Sequence, residues 1–276
     1  MKPLSAANEK AKVEVAISHS YGQLKVHDDV CFTLRENEFL CIGGPSGCGK
    51  TTLLDILAGL LAPTHGRVLI DGERADPKRH HISFVFQEPS TLPWLDVWDN
   101  IAMGLRIRNV PKEAVRRGVE EIIEVVCLRG YERYYPHQIS GGMKQRVAIA
   151  RAFATHADVI LMDEPFVSLD QPTRERMQQE VLDIWQRHKR TVIFVTHNLE
   201  EAVFLGDRVI MLSAKPAKIL ADIPVNLPRP RDPLSPAFTQ LRARCVRLLE
   251  DVQSGSVQPR RKGEANASQM EMRNPE

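Results

Sequence analysis

The sequence predicts an α/β fold built on a mostly parallel sheet and interrupted by a helical insertion. Three observations carry that expectation. Short apolar runs such as Phe39–Ile42, Val159–Met162 and Val192–Thr196 alternate with helix-period segments, the pattern of strands joined by helical crossovers. One of these runs passes through a glycine-rich stretch straight into a helix pattern, which is the context a phosphate-binding loop needs. Between Pro89 and His156 no strand candidate occurs.

Taken in order, Val13 to Leu40 alternates apolar and polar residues, with turn signals at Tyr21-Gly22 and Arg35-Glu36-Asn37. Short, partly antiparallel strands are expected there. Phe39-Leu40-Cys41-Ile42 is a compact apolar run ending in glycines, and Leu53, Leu54 and Leu57, with Leu60 and Leu61 beyond, continue as a helix. Arg67–Asp71 and Ile82–Phe86 read as two more strands. Pro89 and Pro93 then break the chain ahead of Trp94 and Trp98. Asp96 is placed to cap a helix running toward Ile107. Pro111 opens a second, with Val115, Val119, Ile122, Ile123 and Val126 on its apolar stripe. A third helix covers Lys144–Phe153.

The strand Val159–Met162, a helix from about Thr173 to Lys189, and the strands Val192–Thr196 and Val209–Leu212 follow. Strands that alternate with helices pair in parallel and have both faces covered. Leu227–Pro236 holds four prolines and three charged residues and is expected to be extended. Ser235-Pro236 starts an amphipathic helix with Phe238, Leu241, Cys245, Leu248, Leu249 and Val252 on one stripe. Beyond Gln253 the chain is polar, with Arg260-Arg261-Lys262, and disorder is expected.

The chain has 276 residues, 43% hydrophobic and 26% charged, with a net charge of only +2. So weak a field does not point to nucleic acid or to an anionic membrane surface. Cys31, Cys41, Cys48, Cys127 and Cys245 are scattered, with no CxxC pair, and read as free thiols of a reducing compartment. Met1 to Lys12 lacks the apolar stretch of a signal peptide. No apolar run approaches the roughly 18 residues of a membrane span. The chain is expected to be cytosolic by itself, so any membrane role comes through a partner.

Gly44-Pro45-Ser46-Gly47-Cys48-Gly49-Lys50-Thr51 matches G-x-x-x-x-G-K-[ST], with Thr52 next in the chain. Glycines permit a tight turn with its backbone N–H groups pointing inward, and the positive end of the following helix adds to their pull on phosphates. Lys50 reaches the β- and γ-phosphates of a nucleotide, and the Thr51 hydroxyl ligates Mg²⁺. Val159–Met162 then delivers Asp163 and Glu164 to the carboxyl edge of a sheet, where open α/β folds bind ligands. Asp163 is suited to hold Mg²⁺ through its waters and Glu164 to act as general base. Alone, such a pair of acids often only caps the next helix; with the loop it is the second half of a site.

Ile139-Ser140-Gly141-Gly142-Met143 sits just upstream of the acidic strand, Gln87 ends a strand before the insertion, and Thr196-His197 ends another. Together these motifs resemble the nucleotide-binding subunit of the ABC transporter family, from about Tyr21 to Arg231. The resemblance implies a P-loop NTPase with a RecA-like core of parallel sheet, an antiparallel β subdomain and an inserted α-helical subdomain. The ATP-binding core is then 1–88 with 157–226, the helical subdomain 89–156, and 227–276 a partly disordered extension. It implies catalytic roles for Glu164, His197, Gln87 and Lys50, and Mg²⁺ held by Thr51, Gln87 and Asp163. Tyr21 resembles the aromatic that stacks on adenine, and Asp170, within Ser168-Leu169-Asp170, the loop linking two sites across a dimer. Ser140, Gly141 and Gly142 resemble the signature that contacts the γ-phosphate held by the opposite subunit.

The resemblance thus implies a homodimer with two sandwiched ATP molecules. It also implies integral-membrane permease subunits, indirectly a solute-binding protein, no nucleic acid, and a peripheral place on the cytoplasmic face of the membrane. Gln87-Glu88-Pro89, Leu92-Pro93-Trp94-Leu95, Pro165-Phe166 and Leu227-Pro228-Arg229-Pro230-Arg231 look like the nitrate/sulfonate/taurine importer subgroup. The alternative is a soluble ABC-type ATPase not coupled to transport. That class would carry long heptad segments or zinc cysteines between its motifs, and neither is present.

Met143 departs from the Gln common at the end of the signature, and a thioether cannot donate as an amide does. Cys48 has two readings: a thiolate favoured by the loop dipoles and Lys50, open to oxidation, or a side chain pointing away. Pro89, Leu92, Trp94 and Trp98 either fill a groove for a permease helix or pack the insertion.

Overall fold

The computed structural model describes residues 11–253. The N-terminal half contains β1 (Val13–Tyr21), β2 (Leu24–Leu34), β3 (Phe39–Gly43), α1 (Lys50–Leu57), β4 (His65–Ile70), β5 (Glu73–Arg74) and β6 (Ile82–Val85). Then come α2 (Val97–Ile107), α3 (Lys112–Val125), a 3₁₀ turn at Pro136–Gln138 and α4 (Gly141–Ala154). The remainder is β7 (Val159–Asp163), α5 (Gln171–His188), β8 (Thr191–Thr196), α6 (Leu199–Leu205), β9 (Arg208–Leu212), β10 (Ile219–Pro224) and α7 (Pro236–Gln253).

Two sheets result. β2-β1-β4-β5 is antiparallel throughout. Along β1, Val13, Val15 and Ile17 are buried while Glu14 and Ala16 face out, the period of two expected of a strand with one covered face. The second sheet has the order β10-β9-β3-β8-β7-β6. Its inner strands pair in parallel, and only β10 runs antiparallel to β9. β3, β7 and β8 are buried along their whole length, because both faces of this sheet are covered.

Alternate side chains of these strands feed two cores. Leu40, Ile42, Leu161, Ile193 and Val195 join Leu53, Leu54 and Leu57 of α1 and the inner face of β1. Phe39, Cys41, Met162, Phe194 and Met211 face the other way, onto α4, α5 and α6 and onto Phe238 and Cys245 of α7. At roughly 25 cal/mol per Å² of apolar surface buried, such two-sided packing fixes strand register far more firmly than strand propensity does.

The expected α/β fold with its P-loop and helical stretch is the one observed. Among the described residues no strand lies between Val85 and Val159. Asp96 caps α2, its carboxylate accepting from Asp99 N at 2.7 Å. α3 follows Pro111 and buries Val115, Val119, Ile122 and Ile123.

Some boundaries differ. β1 and β2 have nine and eleven residues rather than being short. α1 stops at Leu57, and Leu60 and Leu61 lie beyond Gly59, whose φ of +72° ends the helix. β5, α6 and β10 were not anticipated. The expected tail beyond Gln253 lies outside the described residues. No helix among the described residues is long and apolar enough to cross a membrane.

Candidate active site

Parallel pairing aligns the strand ends that matter. Gly43 at the end of β3 pairs with Thr196 at the end of β8, and Asp163 at the end of β7 pairs with Val195. The segments leaving these three ends therefore share one edge of the sheet. Val85 pairs with Met162, so Gln87, two residues on, emerges at the same edge and is exposed there.

The loop 44–52 is shaped by glycine where nothing else fits. Gly49 has φ +109°, and a Cβ on it would lie 2.6 Å from Val26 Cγ1. Gly49 caps α1 without a side chain, which leaves the first-turn N–H groups free for an anion. Beneath it His27 is fully buried, with Nε2 3.1 Å from Gly49 O. Burial lowers the pKa of His27, so the neutral imidazole donates from Nε2 to that carbonyl. Lys50 Nζ donates to Gly44 O at 3.0 Å and Pro45 O at 3.2 Å, and lies 3.3 Å from Glu164 Oε1.

Cys48 is 1% exposed and packs in the core. Burial pushes its thiol pKa up despite Lys50 nearby. The thiolate reading is corrected on that ground: desolvation outweighs the loop dipoles.

Asp163 is buried, and burial is the largest influence raising its carboxyl pKa, opposed by a hydrogen bond from Thr51 and by Lys50. A buried carboxylate beside a hydroxyl, with little counter-charge of its own, is a donor set suited to a hard divalent cation. Glu164 has φ +42°, uncommon for a residue with a side chain. Its N–H donates to Val195 O at 3.1 Å. That backbone turn sends one carboxylate oxygen to Lys50, and the other lies 2.6 Å from His197 Nδ1. Glu164 thus bridges the loop lysine and the β8 histidine. Residues held in such sparsely populated conformations cost about 1–3 kcal/mol and cluster at functional sites.

The structure brings together Lys50, Thr51, Asp163, Glu164 and His197. It gives Ser140–Gly142 no hydrogen bond to the loop 44–52 among the described residues. Ser140 caps α4, accepting from Met143 N at 3.3 Å. A Cβ on Gly141 would meet no atom within 4 Å, so no neighbour in this chain demands its glycine. Met143 packs its thioether against the core. Asp170 caps α5 by accepting from Thr173 N at 3.1 Å, and that bond holds its pKa down. Tyr21 is half exposed and set edge-on to His19, with centroids 4.7 Å apart.

Three supporting residues escaped the sequence reading. Glu201 accepts from Thr196 Oγ1 at 2.7 Å, and Arg174 lies 3.8 Å from it. The signal for Glu201 was present as Asn198-Leu199-Glu200-Glu201, an N-x-x-E helix start. Asn198 does cap α6, accepting from the N–H groups of Glu200 and Glu201. His27 had no local signal, because only tertiary packing puts β2 under the loop.

Beside the Gln87 strand lies an apolar groove of about 340 Å³ lined by Ile82, Phe84, Leu92, Met103 and Ile107. Leu92 is held by Asn100, which binds both its N–H and its carbonyl, at 2.8 and 3.1 Å. The two tryptophans part company. Trp94 is 69% exposed, whereas Trp98 packs against the core and lines a separate charged groove with Arg116 and Glu120.

Comparison with known proteins agrees with this geometry. The ABC transporter family model matches residues 27–167. An uncharacterised ABC transporter ATP-binding protein of Methanocaldococcus jannaschii is 45% identical over 229 residues, covering 83% of this chain and 86% of the relative. The aliphatic sulfonates import ATP-binding protein SsuB of Bacillus cereus is 44% identical over 227 residues, covering 82% of this chain and 89% of the relative. A solved dimeric ATP-binding cassette, in a post-hydrolysis state with ADP and phosphate, superimposes with a TM-score of 0.65 at 31% identity. That match covers 78% of this chain and 99% of the other.

Proposed function

This chain belongs to the ABC transporter family, and from that premise we propose that it binds and hydrolyses ATP to power a membrane importer of organic sulfonates or similar small oxyanions. The ATPase activity is that of the family. The solute class follows the relatives named for aliphatic sulfonate import, at 42–44% identity. The observation that carries the catalytic reading is the convergence of Lys50, Glu164 and His197, with 3.3 and 2.6 Å contacts, beside the phosphate loop.

In this reading the backbone of Gly44, Pro45, Ser46, Gly47, Cys48 and Gly49 cradles the β- and γ-phosphates with Thr52, and Tyr21 stacks on adenine. Lys50 exchanges the carbonyls of Gly44 and Pro45 for phosphate oxygens. Thr51, Asp163 and Gln87 would hold Mg²⁺, which would supply charge neutralisation at the phosphates. Glu164 accepts a proton from the attacking water, and His197 orients that carboxylate and contacts the γ-phosphate. Ser140, Gly141 and Gly142 of a second copy offer helix N-terminal donors to the same phosphate. The exposed cap at Ser140 and the open space over Gly141 support that approach from outside the chain.

The active species is then a head-to-tail homodimer, with Asp170 in the contact between sites. The ATP-binding core comprises 1–88 and 157–226, the helical subdomain 89–156, and the extension 227–276. Permease subunits seat a cytoplasmic helix in the groove at Ile82, Leu92 and Ile107 and so hold the chain at the cytoplasmic face of the membrane. A solute-binding protein supplies the solute from the other side.

Glu164→Gln tests the core of this reading. The variant is expected to bind ATP with near-normal affinity, to lose hydrolysis by about a hundredfold or more, and to accumulate as an ATP-dependent dimer in size-exclusion chromatography. Undiminished phosphate release would falsify the general-base role.

A further inference from the structure

Behind His197 lies a polar cluster that the mechanism above does not use. Thr196, the residue before His197, donates its hydroxyl to Glu201 Oε2 at 2.7 Å and accepts from Asn198 N at 2.9 Å. Both backbone neighbours of His197 are thereby tied to one buried carboxyl group, 5% exposed. From α5, Arg174 and Gln178 approach the same carboxyl, one helical turn apart. Arg174 also donates from NH2 to Leu169 O at 2.9 Å. Leu169 immediately precedes Asp170, in the loop that the proposed dimer places between its two sites. Arg174 Nε is buried 3.8 Å from Glu201 and makes no hydrogen bond, so the fork stands just short of a closed ion pair. A void of about 20 Å³ remains among Glu164, Arg174, His197 and Glu201.

We propose that Arg174 and Glu201 are positioning residues that couple the Leu169-Asp170 loop to the placement of His197 against Glu164. The inference rests on the head-to-tail reading given above. When a second subunit presses on the Asp170 loop, Leu169 O moves the guanidinium, the guanidinium closes on Glu201, and Glu201 draws on Thr196 and with it on the backbone of His197. The void leaves room for that closure. A displacement of the order of 1 Å at a reacting group is enough to cost about a hundredfold in rate. Neither Arg174 nor Glu201 needs to touch nucleotide.

A purely structural role predicts something different. A tie between α5 and α6 would change stability and nucleotide affinity together. A coupling role changes turnover and its dependence on the second subunit while leaving loading of the phosphate loop alone. Gln at 201 keeps an oxygen to accept from Thr196 and removes the charge that attracts Arg174. Burial, the largest influence on the Glu201 pKa, disfavours its charged form, so Gln is the shape-conserving way to remove that charge.

The experiment compares Arg174→Met and Glu201→Gln with the unaltered full chain. It measures ATP turnover against ATP concentration, and affinity by titration with a fluorescent ATP analogue. The expected result is a fall in kcat of about ten- to a hundredfold, a Hill coefficient for ATP dropping toward one, and analogue affinity changed by less than about twofold. The inference is overturned if kcat and the Hill coefficient stay within about twofold of the unaltered chain, or if affinity falls in proportion to kcat. Asp170→Ala and His197→Ala run alongside. Impaired turnover in those two with intact Arg174→Met and Glu201→Gln sinks the coupling alone; intact turnover in all four sinks the head-to-tail reading as well.

Discussion

Burial decides the chemistry of several single residues here. Glu201 and Asp163 are carboxyl groups whose pKa is raised mainly by desolvation. The sign of their effect on stability follows. Between the ordinary carboxylate range and the raised value, the folded chain holds more protons than the unfolded one, so stability is fully present at low pH and is lost as pH rises through the raised pKa. Glu201→Gln removes one of these two contributions. Its melting temperature should lie at or above that of the unaltered chain at neutral pH, with the difference shrinking as pH falls toward the ordinary glutamate range. A pH series of thermal melts checks this, and a variant markedly less stable at neutral pH would show that the charge is net stabilising. Cys48 illustrates the same balance: burial of its side chain in the core outweighs the nearby Lys50 and raises its thiol pKa.

At the scale of elements, the Leu227–Arg231 segment has a role that composition did not disclose. The expectation that Leu227–Pro236 is extended holds only in part: the chain bends at 229–230, turns at 233–234 and enters α7 at Pro236, since proline lacks the N–H a strand ladder needs yet suits a turn or the first turn of a helix. Its arginines turn inward. Arg231 NH1 donates to Val203 O, Phe204 O and Gly206 O at 2.8, 2.9 and 2.7 Å, gathering the carbonyls at the end of α6. Burial pushes its pKa down to about 10, which leaves it charged at neutral pH, and a cation is favoured at a helix C-terminus. Arg229 pairs with Asp207 and lies 4.7 Å over the ring of Trp185. The segment is a strap that fixes α6 and therefore the far side of the His197 turn. Arg231→Met leaves those carbonyls unpaired and should destabilise the chain by about 2 kcal/mol, read as a lower urea midpoint at unchanged slope. An unchanged midpoint would mean that water replaces the guanidinium at no cost.

For the whole molecule, the arrangement of faces matters more than any one contact. One sheet edge gathers the phosphate loop, the acids and His197, while the Ser140 cap and the 340 Å³ groove stand apart from that cluster. Hydrolysis and coupling to a permease are accordingly separable. Ile107→Asp, in the groove, and Trp94→Ala, exposed two residues beyond the groove residue Leu92, should each weaken copurification with the permease at least about tenfold while basal hydrolysis by the isolated chain stays within about twofold. Intact copurification of both variants would remove this face from the coupling account.

The local chemistry of this protein is legible in the order of its residues alone. Gly44–Thr52 with its flanking strand and helix, the strand ending in Asp163-Glu164, the cap at Asp96, and the apolar stripe of α3 are written in short spacings. Turn geometry, capping and periodicity act over a few residues, so they survive reading without a fold. Tertiary structure decided what those pieces face. Only the parallel register of β3, β8 and β7 sets Lys50, Glu164 and His197 on one edge. Only packing buries His27 under Gly49, turns Cys48 inward, divides Trp94 from Trp98 and brings Arg174 of α5 to Glu201 of α6. These are contacts between residues far apart along the chain. Their cause is the burial of apolar surface between elements, which no local window of sequence contains.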